Sequence, residues 1–437
     1  MSASAVASAG QVVAPVRHVR GSLCVPGDKS VSHRAALFNG LGEGHARITN
    51  FSSGADCGSS LSCLRALGVH VERSGDRVDL EGRGLRGLVE PSDVLDCGNS
   101  GTTMRLLSGI VAGAGVFAVL SGDGSLRRRP MARVIEPLRR AGARIDGRDG
   151  GRLPPLVISP SGGLHGVEHR PSVASAQVKS ALLLSGLFAD GPTSVVEPAA
   201  TRDHTERLLR AMGASVRVAG TTVTVEPIER LTCVDVQVPG DFSSAAFWLV
   251  LGVLHPNAEV RVENVGVNPT RTGLLTILER MGASIGVENG REVAGEPVAD
   301  LVARSSQLTA THVAGELVPL AIDEISLVAL LGLFADGETV VSDAAELRAK
   351  ESDRLAVVAD GLAALGGDIT ATADGWRIRR STLGSGRADS QGDHRMAMLL
   401  ALAGALGDGA EIAGAESVAI SYPSFWADLE RLTTAGT

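Results

Sequence analysis

Aromatic side chains are scarce in this 437-residue chain: 3% of its residues are Phe, Trp or Tyr, although 44% are hydrophobic. A core of ordinary size must then come from Ala, Val and Leu, with 54 glycines supplying tight turns between many short elements, as in an α/β protein. Cysteine is sparse as well. The five (Cys24, Cys57, Cys63, Cys97 and Cys233) are odd in number, scattered and without a Cys-x-x-Cys pair, which excludes a disulfide framework or zinc site and suits reduced thiols in the cytoplasm. No run of about eighteen apolar residues occurs, so no membrane-spanning helix is expected. The opening MSASAVASAGQVVAPVRHVR lacks a charged segment ahead of an apolar one, and its first dozen residues read as a loose tail. An excess of positive charge is also missing. With 41 Lys and Arg against 49 Asp and Glu, the net charge of -8 excludes a general nucleic-acid or anionic-membrane surface. The sequence contains no GxxxxGK[ST], HExxH or GxSxG, and GLGEG at 40–44 follows a helix instead of opening one. Neither a cofactor nor a metal is expected.

What the chain does contain is a repeat. An apolar helical run ending in Gly or a turn recurs six times, from Ser30, Ser100, Ser175, Ser243, Ile325 and His394, at spacings of roughly 70 to 80 residues. Each run is nearly apolar all round and should be buried. Between them lie amphipathic helices closed by Gly, such as RTGLLTILERMGASI, where Leu274, Leu275, Leu278 and Met281 share one face and Gly282 supplies the left-handed end. Alternating, β-rich stretches follow, for example VRVAGTTVTVEP. The sixth repeat has no clear second helix unless SFWADLERL serves. PGDFSSAAF echoes PGDKSVSHRAALF and sets a break near Pro239 and Gly240. Two domains of three repeats are therefore expected, one of residues 24–240, the other of residues 1–23 and 241–437.

Most unusual polar residues stand at the N-terminal mouths of the apolar runs, where free N–H groups and the helix dipole favour anions. Lys29, Ser30 and Arg34 mark the first mouth, Asn99 and Gly101 the second, Ser175 and Gln177 the third, and Arg395 the sixth. Taken singly, such residues read equally well as ordinary caps and solvated cations. Three clusters add weight: LRRRPMARV, whose Arg129 precedes Pro130; AKESDRL, where spacing puts Lys350, Glu351 and Arg354 on one side of a helix start; and TRDHTER, with Arg202 and His204. Asp323 and Glu324 directly precede a buried run, as an N-cap with a first-turn acid or as a base beside cations. His394 reads as a capping core residue or a proton donor.

In order, PGDKSVSHR, GNSGTTMRL, RRRPM, SAQVKSALLL, KESDRL and GDHRMAM closely resemble the 5-enolpyruvylshikimate-3-phosphate synthase family, from Val25 to about Trp426. The resemblance implies two similar domains, each of three βαβαββ units with buried helices in an inside-out, barrel-like arrangement, and an active site in the interdomain cleft. It implies transfer of the enolpyruvyl group of phosphoenolpyruvate to the 5-hydroxyl of shikimate 3-phosphate with release of phosphate, in chorismate and aromatic amino acid biosynthesis. Carried over residue by residue, shikimate 3-phosphate falls to Lys29, Ser30, Arg34, Ser175, Ala176, Gln177, Arg202, Asp323 and Lys350. Phosphoenolpyruvate falls to Lys29, Asn99, Gly101, Arg129, Gln177, Arg354 and Arg395. Asp323 would take the proton of the attacking hydroxyl, with Glu351, Lys29 and His394 as candidates for proton transfer at the methylene carbon and leaving phosphate. Both substrates are small anions, the protein is expected to be a monomer closing on shikimate 3-phosphate, and no nucleic acid, membrane, metal or cofactor is implied. Ile420 stands where many members carry a Lys before the last aromatic and Pro. GDKS, SAQVK, RDHTE and NPTRT resemble the subclass often tolerant of glyphosate, so tolerance is expected, an expectation that the unsubstituted Gly101 weakens. The related transferase acting on UDP-N-acetylglucosamine carries a loop Cys, and residues 111–150 here contain none.

Overall fold

The computed structural model describes residues 10–434. They form two compact units: the first comprises Pro26–Pro239 with Glu292–Pro297, and the second the residues up to Val25, Gly240–Arg291 and those from Val298 on. Twelve helices carry the pattern. Six are the apolar runs: α1 (Lys29–Leu41), α3 (Gly101–Ala114), α5 (Ala176–Gly186), α7 (Phe242–Leu254), α9 (Ile325–Phe334) and α11 (His394–Leu406). Alternating with them are α2 (Ala55–Ala66), α4 (Ala132–Arg140), α6 (His204–Ala211), α8 (Gly273–Arg280), α10 (Arg354–Ala364) and α12 (Phe425–Thr434).

An amphipathic helix buries one stripe and a wholly apolar one must be covered all round. Accordingly every residue of α7 is buried, and so is nearly every residue of α1 and α11. Helices this closely packed need small residues at their contacts. Gly109 of α3 is the clearest case: a Cβ there would fall 2.1 Å from the carbonyl oxygen of Ala181 on α5.

Each unit has three separate open sheets, and none closes into a barrel. In one, Leu95–Asp96 runs parallel to Ala118–Ser121, which pairs antiparallel with Leu153–Ser159, itself antiparallel to Arg144–Gly147. With α3 and α4 between the strands this is a βαβαββ repeat. The same order recurs at Glu168–His169, Thr193–Val196, Thr222–Val225 and Val216–Ala219, and at His312–Val313, Glu338–Val341, Trp376–Arg379 and Asp368–Ala371. Two repeats exchange their first strand. Val19–Cys24, just ahead of α1, runs parallel to Ala258–Gly266, while Val236–Gln237, just ahead of α7, runs parallel to Gly42–Thr49.

Two expectations need correction. Of the loose tail, residues 1–9 lie outside the described residues, but Gln11–Val13 is a strand that completes the sixth sheet, antiparallel to Ala410–Ala413, whose other edge pairs with Gly386–Asp389. The helix missing from the sixth repeat is α12. Its Phe425 stacks on Trp248 of α7 at 5.0 Å, and Trp248 donates to the Tyr422 hydroxyl at 3.0 Å, so much of the scarce aromatic content is gathered in this one contact. No helix among the described residues is long and apolar enough to cross a membrane.

Candidate active site

In the first unit, three helix mouths are built alike. Asp28 caps α1 by accepting from the Val31 amide at 2.9 Å, Ser100 caps α3 by accepting from Thr103 at 3.1 Å, and Ser175 caps α5. Each cap uses up one free amide and leaves its neighbours directed outward. Lys29, the first residue of α1, is half exposed and pairs with Asp56 at the start of α2. Below it, His33, Ser60, Thr103 and Ser100 form a buried hydrogen-bonded chain with links of 2.7–2.8 Å. Burial and the nearby Lys29 push the His33 imidazole down to about 3, so it is a neutral spacer at physiological pH.

The arginines here are held by neutral oxygens. Arg129, left extended as Leu126–Arg128 ends in a short 3-10 turn, donates to Asn99 Oδ1 at 2.6 Å, and Asn99 in turn donates to Asp123 at 2.6 Å. Arg105, one turn into α3, donates to Gln177 Oε1 at 2.5 Å, while Gln177 donates to Thr102 at 2.6 Å. Both guanidinium groups flank Gly101, where an added Cβ would stand 2.8 Å from Arg105 Nη1 and 3.3 Å from Arg129 Nη1. Asn99, Gly101, Arg129 and Gln177 are thus brought together, around an arginine that sequence reasoning missed. Arg34 is fully inside: it donates to Thr205 Oγ1 and Ser180 Oγ at 2.8 Å and to the Ser30 carbonyl at 3.0 Å. Burial pushes Arg105 and Arg34 each down to about 10, with Arg133 and Arg129 adding to the effect at Arg105.

In the second unit the cations meet carboxylates. Asp393 caps α11 through the Arg395 amide at 3.0 Å and accepts from Arg354 Nε at 2.8 Å, both side chains being buried. Arg354 also donates to Glu351 at 2.7 Å. Desolvation would raise the Glu351 carboxyl, but Arg354, its own backbone amide and Arg395 outweigh it and hold Glu351 below the usual carboxylate range. His394 is pushed down to about 4 by burial and then by Arg395, so its ring is neutral near pH 7.

Local structure here departs from expectation in two places. Lys350 and Glu351 do not lie on the first turn of α10, because Asp353 caps Ala356 and starts that helix at Arg354; Lys350 pairs back to Glu346 at 2.9 Å. Glu324 stands at the cap position of α9 but does not cap it with its side chain. Glu324, at the cap position, turns its buried carboxylate to the Ser243 hydroxyl, with Arg271 Nη2 at 3.8 Å and Arg395 Nη1 at 3.9 Å, and burial raises its proton affinity. Arg395 donates to the Asp323 carbonyl at 3.0 Å, which ties the two residues expected to act on different substrates. No group of three His, Cys, Asp or Glu that could hold a metal ion exists among the described residues.

The sequence matches the EPSP synthase (3-phosphoshikimate 1-carboxyvinyltransferase) family over residues 13–429. The chain belongs to the EPSP synthase family. It is 50% identical over 421 residues to a 3-phosphoshikimate 1-carboxyvinyltransferase of Herpetosiphon aurantiacus, with 95% of this chain and 97% of the relative covered. To one of Roseiflexus castenholzii it is 51% identical over 427 residues, covering 96% and 99%. The solved EPSP synthase of Acinetobacter baumannii superposes with a TM-score of 0.91 at 42% identity, over 97% of this chain and 98% of that one. Membership sharpens which omissions matter for an EPSP synthase. Arg105 sits four residues after Gly101 in an otherwise uncharged helix, a spacing that places it on the side of Gly101. The link of Glu324 to Arg271 gave no local signal, since it runs through Ser243, 81 residues from Glu324.

Proposed function

We infer that this chain transfers the enolpyruvyl group of phosphoenolpyruvate to the 5-hydroxyl of shikimate 3-phosphate, releasing phosphate, in the route to chorismate and the aromatic amino acids. Beyond family membership, one observation supports the reading. Arg34, Arg105 and Arg129 are held by hydroxyl, amide and carbonyl oxygens at helix mouths, and a cation without a carboxylate partner is available to an anion. In this reading phosphoenolpyruvate takes Lys29, Asn99, Gly101, Arg129, Gln177, Arg354 and Arg395, to which Arg105 is now added. Shikimate 3-phosphate takes Lys29, Ser30, Arg34, Ser175, Ala176, Gln177, Arg202, Asp323 and Lys350.

The chemistry is addition followed by elimination. Asp323 takes the proton of the 5-hydroxyl as its oxygen bonds to C2 of phosphoenolpyruvate, and C3 receives a proton to become a methyl group. The C2–O bond to phosphate then breaks as a proton leaves C3, restoring the double bond. Glu351 is the group we place at C3. It is ionised before substrate arrives, and a bound anion beside it raises its proton affinity, the direction required of a residue that gives a proton and takes it back. The neutral His394 is not an imidazolium donor. The cations stabilise charge as it moves to the leaving phosphate. The protein is a cytoplasmic monomer in this reading.

Phosphate release from phosphoenolpyruvate tests the assignment, with shikimate 3-phosphate or UDP-N-acetylglucosamine as acceptor. Release with shikimate 3-phosphate alone is expected. Release with the nucleotide sugar, or with neither, would overturn it.

A further inference from the structure

Lys179 lies one turn into α5, just behind the mouth formed by Ser175, Ala176 and Gln177, and a lysine is the last residue an apolar helix should bury. Its side chain is nonetheless only 2% exposed. Its ammonium pairs with Glu197 at 2.8 Å and Glu206 at 2.7 Å, carboxylates exposed by 4% and 2%, and reaches the Thr201 carbonyl at 3.4 Å. Thr201 Oγ1 donates to the other oxygen of Glu197. The next residue, Ser180, hydrogen-bonds Thr205 Oγ1 at 2.6 Å and accepts from Arg34 at 2.8 Å. Two adjacent side chains of α5 therefore grip residues 197, 201, 205 and 206. Between these grips runs an irregular stretch, exposed at 198–200, that carries Arg202.

A buried ion triad is a poor way to gain stability, because desolvation consumes most of the attraction, but it fixes geometry closely. Here the fixed object is the segment joining the strand Thr193–Val196 to α6. We propose that Lys179, with Ser180, is a positioning residue for shikimate 3-phosphate: it holds the 197–206 segment so that Arg202 and Arg34 are presented together. This rests on the assignment of those two arginines to shikimate 3-phosphate made above. Lys179 itself touches neither substrate. Its effect is to remove, before binding, the freedom of a loop that would otherwise have to be ordered by the ligand.

Lys179→Met alone would leave two buried carboxylates facing each other, so the variant to make is Lys179→Met/Glu206→Gln, which removes one charge of each sign. Ser180→Ala is a milder variant that releases Thr205 and one hydrogen bond of Arg34 and keeps the triad. Steady-state kinetics and amide hydrogen exchange are measured on both. For the double variant the KM for shikimate 3-phosphate should rise about tenfold, the equivalent of one or two hydrogen bonds. The KM for phosphoenolpyruvate should move less than about twofold, since Arg105, Arg129 and Gln177 do not depend on the triad. Exchange at 198–203 should accelerate about tenfold or more while that of 101–105 stays as in the wild type. For Ser180→Ala the same pattern at about threefold is expected. Equal rises in both KM values, or a folded double variant with unchanged shikimate 3-phosphate KM, overturn the proposal. Wild-type protein that does not take shikimate 3-phosphate would instead overturn the functional reading, whatever the exchange data show.

Discussion

The two units hold the candidate-site arginines described above differently. In the first, Arg34, Arg105 and Arg129 donate to hydroxyl, amide and carbonyl oxygens, and burial lowers the first two toward 10. In the second, Arg354 lies between Asp393 and Glu351, and Arg395 lies beside Glu324 and the Asp323 carbonyl. A guanidinium on neutral partners is an incomplete ion pair, and an incoming phosphate or carboxylate completes it. A guanidinium already on a carboxylate gains less from an anion, but it sets that carboxylate's proton affinity. The contrast suggests that the first unit mainly binds and the second mainly moves protons.

The largest effect should come from the carboxylates. Asp323→Asn and Glu351→Gln should each lower kcat by about 10² to 10⁴ with KM values little changed, as steady-state assays would show. Loss of binding with kcat preserved would break the contrast. Next comes Asp393→Asn, which takes from the buried Arg354 its buried charge partner, leaving it only the half-exposed Glu351, and should destabilise the fold by about 3 kcal/mol in denaturant titrations. Desolvation opposes but Arg354 prevails, so the Asp393 carboxyl is held below its ordinary 3.8. Its stabilisation is therefore complete above that value and lost as pH falls through the lower folded-state value. The Asn variant should show a flatter stability profile below about pH 4.

Smaller effects test the first unit. Arg105→Met should raise the KM for phosphoenolpyruvate by roughly 10- to 100-fold, the loss of one charge-assisted contact, with kcat affected less. Gly101→Ala, whose Cβ meets both arginines, should raise the same constant about tenfold by pushing them off their oxygens. Smallest of all, Ile420→Lys restores the cation of the family pattern at an exposed position, and we expect it to lower the phosphoenolpyruvate KM and the glyphosate inhibition constant about two- to threefold. An unchanged pair of constants would show that this position lies out of reach of both.

Much of this was legible in the sequence because it is local. Apolar runs such as FSSAAFWLVLGVL must be buried, Asp28, Ser100 and Ser175 sit where caps belong, and the Gly after each of α2, α4, α6, α8 and α10 marks its end, as Gly282 does at φ +83°. What escaped is tertiary. Gln11–Val13 is too short to announce a strand and finds its partner near residue 411. Glu324 looks like a cap until Ser243 and Arg271 claim its carboxylate. Lys179 looks like an intruder in an apolar helix until Glu197 and Glu206 enclose it. Spacing also misled at Lys350 and Glu351, where the Asp353 cap starts the helix later than the charge pattern suggested.

The most direct test of the contrast is a side-by-side steady-state comparison of Arg105→Met and Asp323→Asn, with phosphate release measured at varied phosphoenolpyruvate and varied shikimate 3-phosphate. The account predicts a raised phosphoenolpyruvate KM with kcat largely kept for the arginine variant, and a collapsed kcat with near-normal KM values for the aspartate variant. The same kinetic defect in both would contradict it.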